Sequence, residues 1–364
     1  MKRLQIRSLT IAAVVILLVA GCFAREPRIV AGAIRWDAWH GKRSAVGQAV
    51  ESSLGPAKWH SRLPFFARVD GDDSVAIDGA TQAVLDSEIA YARQARLDYW
   101  AFLLYQPGSA MNLPLAHYVS SRKKRGLQFC LILEQSQWTS ADAARPQFEQ
   151  VAELMARREY QTVLDQRPLL YIIAAEPGSP SWGSRRAREA VDELRVHIGR
   201  KGVREPYVVI LDWRPAHSSA LRQTVNADAI GAYAFQRDGK DAPYSQLASE
   251  TEGFWEECKQ TGSAVVPIVM SGWDRRPRVE RPVFWETWQQ PGAGLEKFYR
   301  KASLDELTSH LRRAVQWVDS NRMAAAARAI LIYAWNENDE GGWLVPTLGD
   351  GTSRLKAVRT ALRR

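Results

Sequence analysis

The sequence predicts an α/β fold, a (β/α)8 TIM barrel formed by a single domain with long loops after its strands. Short apolar runs rich in β-favouring residues alternate with longer segments of helical periodicity, as in barrels of parallel strands. Polar or aromatic residues follow run after run, at the strand ends where barrels carry their functional residues. An open doubly wound sheet is the competing fold, but it would place a glycine-rich phosphate loop after an early strand, and the sequence contains none.

Eight apolar runs are predicted as strands, because each is short and ends in polar or aromatic residues. A long irregular stretch separates the first run from the first predicted helix. The predicted strands span residues 29–36, 97–105, 127–133, 168–175, 207–211, 229–235, 264–270 and 329–335.

Seven segments between and after these runs are predicted as helices. The segment 81–96 has an apolar face, and 113–125 stops before Gly126, a typical C-cap residue, with basic residues where the helix dipole favours them. Pro146 begins or breaks the segment 141–164. The predicted helices span residues 81–96, 113–125, 141–164, 184–199, 244–260, 303–318 and 353–362.

Residues 1–21 are predicted to be a signal peptide, with basic residues before an apolar stretch too short for a membrane-spanning helix of ~20 residues. The sequence Val19-Ala20-Gly21-Cys22 resembles the lipobox of bacterial lipoproteins, and an uncleaved anchor is the alternative. We therefore expect lipidation at Cys22, a short tether over 22–28 and the barrel domain over 29–364. Phe23 rather than Asp follows the cysteine, so the expected location is the outer membrane or cell surface of a bacterial envelope.

The charge and cysteine content narrow the classes of partner. The formal net charge is +9, and removal of the signal peptide with its three basic residues leaves about +6, spread over predicted helical faces. No nucleic-acid-binding module is recognisable, and the expected membrane contact is the lipid anchor. Cys130 and Cys258 fall in a predicted strand and a predicted helix and are expected to be buried free thiols. No zinc or iron signature is present, so neither a metal nor a cofactor is predicted.

The eighth predicted strand ends in an acidic, aromatic segment that is the strongest functional signal. Glu337, Asp339 and Glu340 place three carboxylates within four residues, between Trp335 and Trp343. The two glutamates are three residues apart, so one helical turn would direct both the same way. Two carboxylates facing a sugar-sized gap with indole rings nearby is the arrangement that glycosidic-bond chemistry needs. A solvated acidic loop is the alternative.

The other predicted strand ends supply side chains suited to sugars. Taken singly, a strand-end Asp more often caps a helix and a Trp more often lies in the core. Because barrel strands share one carboxyl end, we expect the tips to converge there. The predicted substrate-binding residues are Trp36, His40, Tyr105, Glu134, Asp212, Tyr233, Trp273, Asp274, Trp335 and Trp343.

The segment Tyr333-Ala334-Trp335-Asn336-Glu337-Asn338-Asp339-Glu340-Gly341-Gly342 resembles the Trp-Asn-Glu-x-x-Glu-Gly signature of glycoside hydrolase family 99-like proteins, which include endo-α-mannosidases. Trp39-His40-Gly41 is similar to the family's opening Trp-His turn, and Ser271-Gly272-Trp273-Asp274 to its seventh-strand loop. The resemblance extends over roughly residues 29–362, as expected for one domain.

The resemblance implies a retaining glycosidase. It assigns Glu340 as the acid/base at the leaving oxygen and Glu337 as the base that deprotonates the sugar's own 2-hydroxyl. Close carboxylates push each other's pKa values apart, which suits such a division of roles. Asn338-Asp339 replaces the aromatic and histidine residues that the mannosidases carry between the glutamates, so mannose specificity is open and Asp339 is a further candidate.

The sequence therefore predicts a lipid-anchored glycoside hydrolase that acts on an α-linked glycan or polysaccharide outside the cytoplasm. Two alternatives stay open, a non-catalytic glycan-binding lipoprotein and a polysaccharide transglycosylase. Export disfavours a transferase that uses nucleotide sugars, since these are made in the cytoplasm, and no Asp-x-Asp metal motif or phosphate loop is recognisable.

Overall fold

The computed structural model describes residues 28–176 and 184–363. Within them, eight parallel strands, one of them in two pieces, form one sheet, and most of their residues are apolar and buried. The strands are β1 (Val30–Arg35), β2 (Tyr99–Leu103), β3 (Gln128–Glu134), β4 (Arg167–Ile173), β5 (Tyr207–Leu211), β6 (Ala229–Gly231), β7 (Ala264–Val265 and Ile268–Met270) and β8 (Ala329–Tyr333).

The sheet closes into a barrel through β7, which Pro267 divides into two pieces. The first piece pairs with β6, and the second pairs with β8, which in turn pairs with β1. Backbone hydrogen bonds from Val266 to Ile230 (2.9 Å) and from Leu331 to Pro267 (3.1 Å) join the two sides. The predicted (β/α)8 barrel is confirmed.

Helices follow the strands and cover the barrel. In the described part of the chain they are α1 (Ala45–Leu54), α2 (Gln82–Gln94), α3 (Leu113–Ser120), α4 (Ala141–Met155), α5 (Ser184–Arg200), α6 (Pro215–Thr224), α7 (Tyr244–Gln260), α8 (Arg276–Glu280), α9 (Leu304–Ser320) and α10 (Ser353–Ala361).

Three of these helices, α1, α6 and α8, lie in segments for which no helix is predicted. Their sequences favour helices weakly, since α1 contains Gly47 and two serines and the other two begin at or next to a proline. The segment expected to be irregular also contains an antiparallel hairpin of Ala67–Gly71 and Ser74–Ile77. Tertiary packing rather than local propensity selects these elements.

Two helices end earlier than predicted. The helix α3 stops at Ser120 because Ser121 is extended and its Oγ accepts the backbone N–H of Lys123 at 3.0 Å. The basic run 122–125 therefore follows the helix, although Lys124 Nζ still donates to the carbonyl of Val119 at 2.6 Å. The predicted helix over 141–164 stops at Met155, and its last part instead forms a short strand against β4.

The remaining expectations concern thiols and the membrane. Cys130 and Cys258 are buried free cysteines, as predicted. Cys22 and the rest of the predicted signal peptide lie outside the described residues. Over residues 28–176 and 184–363, no helix has the length and apolar character needed to cross a bilayer.

Candidate active site

A cavity of about 540 Å³ opens at the carboxyl ends of the barrel strands. Six predicted site residues meet there although they come from β1, β2, β3, β6 and β8. Each stands at or just beyond the end of its strand, so the predicted convergence occurs for these six. The lining side chains are Trp36, Val46, Leu103, Tyr105, Met111, Glu134, Ile173, Tyr233, Arg278, Phe284, Trp285, Glu337 and Glu340.

A tight loop after β8 delivers both glutamates to the cavity. Asn336–Glu337 pairs antiparallel with Gly342–Trp343, and Asn338–Glu340 forms one turn of 3-10 helix between them. Gly341 reverses the chain with φ of +85°, and a Cβ there would lie 2.4 Å from the backbone nitrogen of Asp274. Only glycine therefore fits at this position.

A buried polar network below the loop fixes its start. The Arg35 guanidinium at the end of β1 pairs with Asp37 (2.7 Å) and Glu88 (3.1 Å), and all three side chains are buried. Asn336 donates to Asp37 (3.1 Å), and its side-chain oxygen accepts the backbone N–H of Trp36 (3.0 Å). The first and last strands of the barrel are thus joined directly beneath the glutamates.

Arg278 of α8 is the cation around which the carboxylates gather. Its buried guanidinium donates to Asp339 (2.7 and 3.1 Å), to Glu340 (2.5 Å) and to Glu286 (3.1 Å). A longer contact of 3.5 Å reaches Glu337. Asp339 has no exposed surface and is fully engaged by this ion pair, so it is not the accessible carboxylate that could replace a glutamate.

The pKa values of the two glutamates are shifted in opposite directions. Burial raises the pKa of Glu337 well above its usual range, and the neighbouring Glu340 carboxylate adds to the rise. The hydroxyl of Tyr233 donates a hydrogen bond to Glu337 at 2.7 Å, which partly opposes the rise. Burial also acts on Glu340, but Arg278 and Arg275 outweigh it and lower the pKa of that carboxyl. Tyr333 donates a further hydrogen bond to Glu340. Glu337 therefore holds a proton more tightly than Glu340 does.

The opposite wall of the cavity carries a third carboxyl group. Burial raises the pKa of Glu134, and a hydrogen bond from Gln137 (2.9 Å) only partly opposes the rise. Beside it, the indole N–H of Trp36 donates to the hydroxyl of Tyr105 at 2.8 Å. Carboxyl and phenol groups here can form hydrogen bonds with sugar hydroxyls, and the aromatic rings offer apolar faces for sugar rings.

Three predicted substrate-binding residues are buried away from the cavity, and those expectations are corrected. His40 is fully buried and contacts the carbonyl of Asp37 (3.0 Å) and the hydroxyl of Ser44 (2.5 Å). Trp335 is also fully buried, because the chain turns inward after β8 and its indole N–H donates to Glu88 at 2.7 Å. Trp343 is buried beneath the guanidinium of Arg354, 4.4 Å from its ring centre.

Three more predicted residues lie at the same end of the barrel but not in this cavity. Asp212 is buried and forms ion pairs with Arg214 (2.9 Å) and His217. Asp274 is likewise occupied, by Arg62 and Arg276. Their carboxylates are therefore saturated by cations of the protein. Trp273 is partly exposed and lines two neighbouring cavities instead.

Several lining residues have no clear signal in the sequence. Arg278, Phe284 and Trp285 belong to the long loop after β7, in a stretch rich in arginine and proline with no regular pattern. The accumulation of Arg275, Arg276 and Arg278 close to a strand end is the one available hint, because buried carboxylates need cations. Among the described residues, no group of three or more His, Cys, Asp or Glu side chains has the arrangement of a metal site.

Comparison with known proteins identifies the class of fold. No family model and no curated protein matches the sequence. The structure is similar to two solved structures of the family 99 (GH99) endo-α-mannosidase of Bacteroides thetaiotaomicron, one in complex with BIS-TRIS-propane. For the complex the TM-score is 0.55 and the identity 13%, over 91% of this chain and 94% of that chain. For the second structure the values are 0.55 and 12%, over 91% and 95%.

A chitinase from the same organism is more distant, with a TM-score of 0.46 and 10% identity over 92% of this chain and 97% of that chain. The fold of this protein is therefore of the kind found in glycoside hydrolase family 99, as the sequence resemblance implies. At identities this low, the similarity establishes the barrel and leaves the chemistry to be argued from the site.

Replacement of Arg278 by methionine should destabilise the protein strongly. Arg278→Met leaves the buried Asp339 without its cation, and loss of one partner of a buried ion pair typically costs ~3–5 kcal/mol. Arg43→Met is the control, because Arg43 pairs with Asp78 at the surface, where both side chains are about half exposed. Urea denaturation of both variants measures the difference. Equal, small losses would show that the Arg278 cluster does not support the fold.

Proposed function

We propose that the protein is a glycoside hydrolase that cleaves an α-linked glycan, with Glu337 and Glu340 as the reacting pair. The observation that carries the proposal is that two carboxyl groups of opposite protonation open into one cavity lined by tyrosine and tryptophan. The shared fold of the family 99 endo-α-mannosidase supports an α-linked substrate. A non-catalytic glycan-binding protein would need no such split between the two acids.

The electrostatics favour roles exchanged from those that the sequence resemblance implies. Glu337 holds a proton and is assigned as the general acid that protonates the leaving glycosidic oxygen. Glu340 is held ionised by Arg278 and Arg275, so its carboxylate is assigned to the positive charge that develops at the anomeric carbon. The Glu340 carboxylate bonds to the anomeric carbon as the glycosidic bond breaks; water then attacks that carbon, displaces Glu340 and gives its proton to the Glu337 carboxylate. We also propose that the configuration at the anomeric carbon is retained. The anomer first released from the substrate tests this.

Two isosteric substitutions separate these roles. Glu337→Gln should slow cleavage of a natural glycan by ~10²–10⁴. It should slow an aryl glycoside with an activated leaving group much less, because that group departs without a proton. Glu340→Gln should slow both substrates, since charge develops at the anomeric carbon in either case. Steady-state kinetics on α-mannan fragments and a dinitrophenyl glycoside, with circular dichroism as the folding control, measure the pattern.

The outcomes have distinct meanings. Rescue of Glu340→Gln rather than Glu337→Gln by the activated leaving group would reverse the assignment and restore the roles that the resemblance implies. Unchanged rates in both variants would contradict the proposal that this pair is catalytic. Glycan binding without any cleavage by the wild-type protein would favour the binding-protein alternative.

The two phenols give a paired test through the pH dependence of kcat/KM. Tyr233 and Tyr333 each donate a hydrogen bond to one carboxyl group and stabilise its ionised form, so either Tyr→Phe change raises the pKa of its partner. Activity needs Glu340 ionised, so Tyr333→Phe should move the acid limb to higher pH and narrow the profile. Activity needs Glu337 protonated, so Tyr233→Phe should move the alkaline limb to higher pH and widen it. Identical shifts in the two variants would contradict the assignment.

We also infer that the chain is exported and anchored by a lipid at Cys22 in the bacterial cell envelope. The basic residues before residue 8, the short apolar stretch and the lipobox-like Val19-Ala20-Gly21-Cys22 support this. Mass spectrometry should find a lipid mass on Cys22 in the wild-type protein and none in Cys22→Ala. An unmodified Cys22 in the mature wild-type protein would refute the anchor.

A further inference from the structure

Two more cavities open at the same end of the barrel, next to the one that holds the glutamates. One, of about 840 Å³, is lined in part by Trp213, Phe235 and Trp273. The other, of about 440 Å³, is lined in part by Trp273 and Trp288. Trp273 belongs to both linings, so the two cavities adjoin each other.

Each of these cavities has one strongly exposed tryptophan. Trp213 is 57% exposed and Trp288 is 66% exposed, unusual values for the largest apolar side chain. In both cases a guanidinium group lies against the ring, Arg214 at 5.1 Å from the centre of Trp213 and Arg275 at 4.9 Å from that of Trp288. One side of each ring is thereby supported, and the ring keeps a large area open to solvent.

The supporting arginines are themselves held in place. Asp212 binds Arg214 through two hydrogen bonds, of 2.9 and 3.0 Å, which gives this buried carboxylate a structural role. Arg275 donates to Glu340 (3.2 Å) and to Glu286. Both indole rings are therefore oriented before any ligand arrives, which lowers the entropy cost of binding against them.

Ring contacts link the lining of these two cavities to the site of the glutamates. The ring of Trp273 lies 5.6 Å from that of Tyr333, which lies 5.8 Å from that of Tyr233. The hydroxyls of these tyrosines donate to Glu340 and Glu337. Trp273 is therefore two ring contacts away from Tyr233, which lines the carboxylate cavity.

We propose that Trp213 and Trp288 are stacking platforms for a carbohydrate chain that extends beyond the carboxylate cavity, so that the ligand is an oligosaccharide or polysaccharide several units long. The proposal rests on the proposed function only in the class of ligand. Indole rings stack on the apolar faces of sugar rings, and the arginines beside them have carboxylate partners, which suits a neutral chain. Arg237, for example, is already paired with Glu257.

Affinity electrophoresis tests the platforms separately from catalysis. The full chain is used with Glu337→Gln present, so that no polysaccharide is consumed, and the gels contain α-mannan, dextran or pullulan. At least one polysaccharide should retard the protein, and Trp213→Ala or Trp288→Ala should each weaken that binding roughly 2- to 10-fold. Met323→Ala is the matched control, because Met323 is 93% exposed on the turn before β8, at the opposite end of the barrel, and should change nothing.

The outcomes test the platform proposal and the enzyme proposal separately. Retardation by none of the polysaccharides, or equal retardation with and without the two tryptophans, overturns the platforms. If the wild-type protein hydrolyses a polysaccharide but its retardation does not depend on the two tryptophans, the platform proposal is wrong and the proposed hydrolase activity is supported. Tryptophan-dependent retardation supports the platforms, even when the wild-type protein cleaves nothing. Loss of binding to phosphatidylglycerol vesicles alone, in the two variants, would assign the rings to a lipid surface and overturn the proposal.

Discussion

The buried guanidinium of Arg278 is the interaction on which the rest of the site depends. Removal of a cation and several carboxylates from water is costly, and it is tolerated here because the partners satisfy one another. The pairing joins α8, in the loop after β7, to the turn after β8, across a separation of 61 residues at Asp339. Both loops would lose their positions if either partner were absent. The glutamates therefore owe their placement to this arginine, which also lowers the pKa of Glu340.

The same cation creates the difference between two identical side chains. Glu337 and Glu340 leave one short turn together, yet Glu340 receives two guanidinium groups and Glu337 receives mainly a phenol. In a buried environment each charged or hydrogen-bonding partner has a large effect on the pKa of a carboxyl group. Asp339, which lies between them in sequence, accepts two hydrogen bonds from Arg278, whereas Glu337 has only a contact of 3.5 Å with it. Acid and carboxylate are thus distinguished by their surroundings and not by residue type.

The barrel was predictable from sequence because the strand signal is local. Apolar runs such as 207–211 carry their own pattern, and a parallel barrel brings their ends together, which placed Trp36, Tyr105 and Tyr233 near the glutamates. The direction of a side chain beyond a strand end is set by tertiary packing instead. Trp335 comes two residues after β8 and Trp36 one residue after β1, but Trp335 turns into the core. Arg278 was missed as a site residue for the same reason, because its carboxylate partners come from another loop.

The link between β1 and β8 determines when the site is completed as the protein folds. Trp36 and Asn336 contact each other across 300 residues, and the strands that carry them are adjacent in the barrel. Non-local pairings of this kind form late, because a large loop must close before they contribute any stability. The early strands therefore have an open barrel edge until β8 pairs with β1. Because the loop after β8 completes the cavity, the chain has no complete site until its first and last strands have paired.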